Sequence, residues 1–579
     1  MKPTPAQQEA IDSYDNNLLL IAGAGSGKTA TVIQRIKVLI ERGVNPASIL
    51  CLTFTRKAAN EIRERLEKML DARSVRPIWI GTFHSISYRI LSQWGYKIGY
   101  KSSKKESISV TSQEESDVLL KAVVDQYDFK SSMKKITDAK ALLSHDNIEP
   151  VDPDVKRILR EYKSRLKESN AVDFDYLLLE VHALFQACPE ALKYYHGKFE
   201  HVFIDEYQDT DTVQYNLHEL IQPRNLLCIG DADQSLYSWR GARLSLILDF
   251  EKNHENTKVI KLEHCFRCGD DIVHAANSLI DNNRDRIKKT LIGATGFNGE
   301  INIMEDSSAH QVAHFLAEEL AFENPSEIAV IARNHRSLEF IERACGEYKL
   351  DVLRVGKATN EVESMDCFKF MLAYLKLRLN PLNNISFLIA NKIGFKAVLP
   401  EIWKKANEAG CSWYQALEDK SEISCEQDII SFYRQCCAAI NQGISTLVIE
   451  YLTSTFDKDI SAEDWLKQYQ VKDSHLELEK KKEGMITLIT AHAAKGLEWD
   501  NVLIADFEEL KFPSKLAIKN NTLEEERRLA YVAFTRARKR LVIFSSPNLR
   551  SRFLHEARLP AEDFKSTDQE STENGITIS

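Results

Sequence analysis

The chain has 579 residues, 44% hydrophobic and 28% charged, with a formal net charge of −9 at pH 7 and an isoelectric point of about 6.0. A single core rarely grows past about 250–300 residues, so two or more domains are expected, and the acidic balance excludes a broadly basic nucleic-acid coat while leaving room for a local binding groove. There is no apolar run of membrane-spanning length and no signal-peptide core at the N-terminus, and the eleven cysteines show no disulfide-like spacing, so a cytoplasmic protein without membrane contact is expected.

In chain order, short apolar runs predict buried parallel strands at 18–22, 49–54, 78–81, 202–205, 226–230 and 259–262, then at 328–332, 352–355, 485–490, 502–506 and 541–545. Helical patterns such as 30–42 and 57–70 lie between many of them, and strands alternating with helices imply α/β layers. Two long stretches, near 90–195 and 366–480, read as mostly helical. The expected fold is therefore α/β: two cores, each carrying a helical insertion. Lys480-Lys-Lys482 reads as a solvated hinge, and 565–579 as a polar, frayed end.

The segment from Leu18 to Thr29 is a strand, a glycine-rich turn and a helix start. Residues Ala22, Gly23, Ala24, Gly25, Ser26 and Gly27 let successive backbone N–H groups face a phosphate, and the helix N-terminus adds partial positive charge. Lys28 reaches the β/γ-phosphates of ATP, and the Thr29 hydroxyl ligates Mg²⁺. The strict pattern has Gly where this chain has Ala22. The strand around Val202 ends in Asp205 and Glu206. In such a site Asp205 holds Mg²⁺ and Glu206 positions and deprotonates the attacking water.

With these motifs in place, the sequence resembles the UvrD/Rep family of superfamily 1 helicases, from Gln7 to Ala537 and in the family's order. The resemblance implies two RecA-like P-loop NTPase cores. The N-terminal core covers 1–90 and 195–265, with an insertion at 91–194. The C-terminal core covers 266–365 and 481–555, with a short insertion at 366–480, and 556–579 forms a polar tail. It implies that Gln7 reads adenine, next to Ala30, where many relatives carry Arg. Thr53-Phe-Thr-Arg-Lys-Ala-Ala59 and Gly81-Thr-Phe-His-Ser85 resemble DNA-contacting segments, which makes Phe54, Thr55, Arg56, Phe83 and His84 candidate contacts. Arg56 stands where the family often has Asn.

Asp205-Glu-Tyr-Gln-Asp-Thr210 resembles the family's acidic motif, and Cys228–Ala242 its most diagnostic one. There Gln234 senses the γ-phosphate, while Tyr237, Trp239 and Arg240 touch DNA. In Leu262-Glu-His-Cys-Phe-Arg267 the resemblance gives Phe266 to adenine and Arg267 to phosphate, with Cys265 in the family's usual Asn position. It gives His492 to DNA, Glu498 to the ribose and Arg536 the role of arginine finger. The activity implied is an ATP- and Mg²⁺-dependent 3′-5′ translocase and helicase acting on single-stranded DNA and on single-strand/duplex junctions in repair, replication or defence. Two other readings stand beside it: a motor subunit working with a nuclease or repair protein, and a translocase that strips proteins from DNA and unwinds weakly alone.

Overall fold

The computed structural model describes residues 2–13, 17–101, 107–127, 133–355, 362–395, 428–440, 442–455, 461–469 and 483–559, with a few positions between 401 and 417. The basic run at 480–482, the frayed end at 565–579 and most of the tail lie outside them. Two compact units divide the chain: Met1–Ala22, Gly27–Leu262 and Arg354–Lys480 form one, and Gly23–Ser26, Glu263–Leu353 and Lys481–Ser579 the other.

The first unit is built on six strands in the order Trp79–Thr82, Ile49–Thr53, His201–Ile204, Asn225–Gly230, Asn17–Ala22 and Thr257–Leu262, all paired in parallel. Each is an apolar run because helices cover the sheet and leave little polar face to satisfy. Helix Lys28–Glu41 buries Val32, Ile33, Ile36 and Leu39, the spacing of one apolar stripe, against Leu18, Leu20 and Ile49 of the sheet. In a parallel sheet every strand points the same way, so the loops after Ala22, Thr53, Thr82, Ile204 and Gly230 all leave from one edge, where open α/β sheets bind ligands.

The second unit repeats the plan with strands in the order Glu300–Met304, Ala537–Phe544, Trp499–Ile504, Ile328–Ala332, Ile486–Thr490 and Val352–Arg354. Its core joins Val330, Leu488, Leu503 and Val542 of the sheet to Val312, Leu316, Leu338 and Ile341 of two helices. All eleven expected runs are strands. Glu300–Met304 is an additional one: its apolar residues alternate with polar ones, and it lies at the sheet margin without full burial.

The first insertion is helical, with one short parallel pair, Ser109–Thr111 against Ala171–Asp173. In the second stretch, helix Asp366–Leu379 packs on the first insertion. Asn380 donates its side-chain N–H groups to Ser169 O at 2.9 Å and Asn170 O at 3.0 Å, and Lys376 forms a buried ion pair with Glu115. These contacts group 354–480 with the first unit, although the segment is inserted in the sequence of the second.

Candidate functional site

Gly27 adopts φ +79° and caps helix Lys28–Glu41 without any side-chain hydrogen bond, so the first-turn N–H groups keep no side-chain acceptor at the cap. A side chain at Gly27 would also strike Gln7 Nε2, at 2.8 Å from the added Cβ. Gln7 therefore sits beside the loop. Its carbonyl oxygen closes a capping box by accepting from Thr4 N at 2.8 Å, which fixes the amide at the start of helix Pro5–Asp12. Ala30 is exposed in the first turn, and Thr29 is half-buried beside it.

Lys28 Nζ donates to Glu206 Oε1 at 3.1 Å. Glu206 has φ +53°, a left-handed conformation that is uncommon outside glycine and occurs at functional sites when neighbours hold it. Its backbone N–H donates to Asp205 Oδ1 at 3.0 Å, and its Oε2 accepts from Gln208 Nε2 at 2.5 Å. On the adjacent strand end, Gln234 Nε2 donates to Asp231 Oδ2 at 2.7 Å. The structure thus gathers Lys28, Asp205, Glu206 and Gln234 at one edge of one sheet.

The DNA-contact candidates of this unit lie along the same edge. Thr53 and Thr82 are paired in register, so Phe54 and Phe83 begin neighbouring loops. Thr55 caps helix Arg56–Met69, which starts at the candidate Arg56, and Thr82 caps helix Phe83–Trp94, each accepting a backbone N–H three residues on. Phe54 stacks on Tyr237 with ring centroids 5.1 Å apart, and His84 stacks on Phe174 at 3.7 Å. These rings, with Trp239 and Arg240, border a cavity of about 490 Å³. Trp239 is 66% exposed, so it is not a core tryptophan, whereas Phe83 and Tyr237 are buried and present little ring face. The Arg240 guanidinium lies 5.7 Å from the Trp239 ring centroid.

The turn that carries Trp239 ends at Gly241, φ +87°, where a Cβ would fall 2.5 Å from that of His145. His145 Nδ1 is 3.2 Å from Asp211 Oδ2, and Asp146 pairs with Arg243 at 2.9 Å. Burial opposes charge on His145, but Asp211 outweighs it and raises the ring above its usual value. His145 and Gln208 are site residues that sequence reasoning missed. No local pattern marks His145, whereas Gln208 lies inside the acidic motif Asp205–Thr210 and only its burial beside Glu206 shows its place in the site.

In the second unit Arg267 Nε meets Glu498 Oε2 at 2.5 Å. Burial alone would raise the Glu498 carboxyl; Arg267, with Arg538 and Arg536 behind it, holds it below the usual value. Phe266 is half-buried and nearly parallel to His264, at 6.4 Å. Arg536 is expected from the resemblance to be the arginine finger. The residue is 1% exposed, and its guanidinium donates to Val532 O, Leu497 O and Thr535 Oγ1. Burial and the nearby Arg333 push His492 down to about 4, so its ring is neutral at physiological pH.

Residues 3–255 match the UvrD/REP helicase N-terminal domain, and residues 260–434 and 440–548 match the UvrD-like helicase C-terminal domain. The chain belongs to the UvrD/Rep helicase family. Among its relatives, the ATP-dependent DNA helicase PcrA of Leuconostoc citreum is 33% identical, over 93% of this chain and 81% of its own length. The proteins of the same name from Bacillus subtilis and Staphylococcus epidermidis are 33% and 31% identical, over 82% and 85% of their own lengths. The two sheets are accordingly the two RecA-like P-loop cores of a helicase of this family. No helix among the described residues is long and apolar enough to cross a membrane.

Also among the described residues of this helicase, no group of three or more His, Cys, Asp or Glu could hold a metal ion alone. Mg²⁺ differs from zinc here: it keeps waters and takes one or two protein oxygens plus substrate phosphates. Thr29 in the first helical turn and Asp205 at a strand end fit that donor set.

Proposed function

We propose that this protein is an ATP-driven motor that travels 3′ to 5′ along single-stranded DNA and opens the adjoining duplex, in DNA repair, replication or defence. One observation carries the reading. The phosphate loop, the acidic pair and the exposed Trp239 beside an aromatic cavity leave the same edge of the same sheet. Nucleotide chemistry and strand grip are then mechanical neighbours. The names of the relatives, DNA helicases matched over most of their length, favour unwinding over a nuclease-bound motor subunit or a protein-stripping translocase.

In this mechanism Lys28 takes the β/γ-phosphates of ATP, and Glu206 accepts the proton of the attacking water. Thr29 and Asp205 would hold Mg²⁺, which supplies positive charge to the phosphate oxygens. Gln7 and Phe266 serve the adenine, Glu498 the ribose, and Gln234, Arg267 and Arg536 the phosphates. Phe54, His84, Trp239, Arg240 and His492 contact the strand, with stacking that needs no sequence choice. The nine described cysteines are all free and buried, which supports a reducing, cytoplasmic setting.

Direction rests on the family branch that the motifs resemble. A DNA strand is polar, so a motor that grips it in one orientation progresses one way. The test uses one duplex with either a 3′ or a 5′ single-stranded tail. Unwinding should require the 3′ tail, ATP and Mg²⁺, and should vanish in Lys28→Ala. Preference for the 5′ tail would overturn the branch assignment. Failure on both tails with strong DNA-stimulated ATPase would favour the translocase or partner-dependent readings.

A further inference from the structure

Cys265 and Cys268 are both buried, and between them in the chain stand Phe266 and Arg267, assigned above to adenine and phosphate. Cys265 ends the short strand His264–Cys265, which pairs with Ile292–Gly293, and residues 266–268 bend before helix Asp270–Ile280. The bend brings the two cysteines together. Cys268 N donates to Cys265 Sγ at 3.5 Å, and the two thiols share a hydrogen bond. Cys268 Sγ is also 3.5 Å from Thr535 O. On its other side Cys265 meets the tip of the phosphate loop, Gly23–Ser26, which belongs to the same compact unit. Phe266 N donates to Gly25 O at 2.9 Å, and a Cβ at Gly25 would fall 3.0 Å from Cys265 Sγ.

The pair is polarised as a nucleophile and a resolving thiol are. The hydrogen bond from Cys268 holds the Cys265 thiol below its usual value; burial opposes this, and the backbone N–H groups of Cys268 and Arg267 and the Arg267 charge support it. Its bond to Cys265, and then burial, raise the Cys268 thiol. Burial likewise pushes up Cys51, Cys228, Cys345 and Cys437, which gain no such support and are structural thiols. The thiolate is the reactive form, so the nucleophile is Cys265. Both sulfurs are shielded, and a small oxidant reaches them when the loop tip leaves Phe266 N in a local opening.

We infer that Cys265 and Cys268 form a thiol-modification site, which hydroperoxides oxidise to a disulfide beside the phosphate loop. The Cys265 thiolate attacks one peroxide oxygen: an S–O bond forms, the O–O bond breaks, and the leaving hydroxide takes a proton to become water. Cys268 then attacks the sulfenic sulfur: the S–S bond forms, the S–O bond breaks, and the hydroxyl leaves with the Cys268 proton as a second water. The dithiol loses two electrons, which the peroxide takes up. A dithiol reductant reverses the reaction by exchange. Closing the bridge draws in the bend, and with it Phe266, Arg267 and the hydrogen bond to Gly25, so the oxidised protein turns over ATP slowly. That consequence rests on the roles given above to Phe266, Arg267 and the loop; the disulfide itself does not.

The experiment treats the full chain with hydrogen peroxide, maps its disulfides by peptide mass spectrometry, and measures ATPase with single-stranded DNA before treatment, after it, and after dithiothreitol. Wild type should yield a Cys265–Cys268 disulfide and lose turnover on the order of tenfold, the scale of misplaced binding groups, with recovery under dithiothreitol. Treated Cys265→Ala should keep its own untreated turnover within about twofold. Cys268→Ala should stop at the sulfenic acid, which dimedone traps on Cys265. If Cys265→Ala does not fold, Cys265→Asn, with the residue usual in the family, takes its place. No Cys265–Cys268 disulfide in treated wild type, a disulfide with unchanged turnover, or equal peroxide sensitivity in wild type and the Cys265 variant overturns the inference. Absence of DNA-stimulated turnover in the untreated protein would instead overturn the reading of the ATP site, and the mapped disulfide would stand apart from it.

Discussion

The ammonium of Lys28 stands 3.1 Å from Oε1 of Glu206, joining the phosphate loop to a strand end 178 residues later. The two side chains are assigned opposite tasks, one electrophilic and one basic, and each is oriented by the other. Under the proposed mechanism, phosphate oxygens would compete with Glu206 for the same ammonium, and nucleotide binding would free a carboxylate oxygen for the water.

Lys28→Ala should weaken ATP binding and abolish turnover. Glu206→Gln should bind ATP and fail to hydrolyse it, since an amide cannot accept the proton. Nucleotide binding followed by fluorescence, alongside phosphate release, separates the two effects. Near-normal turnover in Glu206→Gln removes its assignment as base.

Arg536 is fixed by hydrogen bonds to Val532 O, Leu497 O and Thr535 Oγ1. Arginine fingers contribute about 10³–10⁵ in rate in related phosphoryl transfer. Arg536→Ala should lose most DNA-stimulated ATPase, and Arg536→Lys should recover little, because an ammonium lacks the planar fork. Thermal melts establish that both variants are folded. A loss below about tenfold in Arg536→Ala would transfer the role to Arg267.

Trp239 exposes a ring beside Arg240 at the rim of the aromatic cavity. Stacking on a base contributes about 1–3 kcal/mol. Trp239→Ala should weaken single-strand affinity accordingly and uncouple ATP use from unwinding, with little change in DNA-free ATPase. Fluorescence anisotropy with a labelled oligonucleotide measures the first effect. Retained affinity together with retained unwinding would exclude the stacking role.

Glu115 and Lys376 pair in the interior, with Ser386 Oγ donating to the carboxylate at 2.5 Å and Ser112 N at 2.7 Å. Burial disfavours the charged carboxylate, but Lys376 and the two hydrogen bonds outweigh it, so Glu115 titrates below its usual value. A depressed carboxyl stabilises the fold above its unfolded pKa, and that stability is lost as pH falls through the lower folded value. Glu115→Ala leaves a buried ammonium unpaired and should cost about 3–5 kcal/mol at neutral pH. The double replacement Glu115→Leu with Lys376→Met should regain much of it in urea melts. A single-variant loss under about 1 kcal/mol would mean that water reaches the pair.

Much of the fold was legible because each buried strand is a continuous apolar run and each motif is a local string. Leu18–Ala22 followed by glycines and Lys28 can be read without any partner. Glu300–Met304 escaped because a strand at the sheet margin needs only alternate apolar residues. Phe83 and Arg536 were legible as motif members, but not their burial, since burial depends on what packs over a residue.

Sequence alone determined the chemistry available: a phosphate loop, an acidic pair, aromatic and basic residues in a set order, and two α/β cores. Only the tertiary structure decided which of these meet. Asn17–Ala22 and His201–Ile204 both pair in parallel with Asn225–Gly230, the first of them across more than two hundred residues, with Asn17 opposite Leu226. That pairing brings Lys28 to Glu206, buries Gln208 between Glu206 and Asp231, and joins Glu115 to Lys376 although each belongs to a different insertion. Periodicity and motif spacing are properties of neighbouring residues. Register, burial and hydrogen-bond partners arise from pairing between distant segments, whose energetics no local window contains.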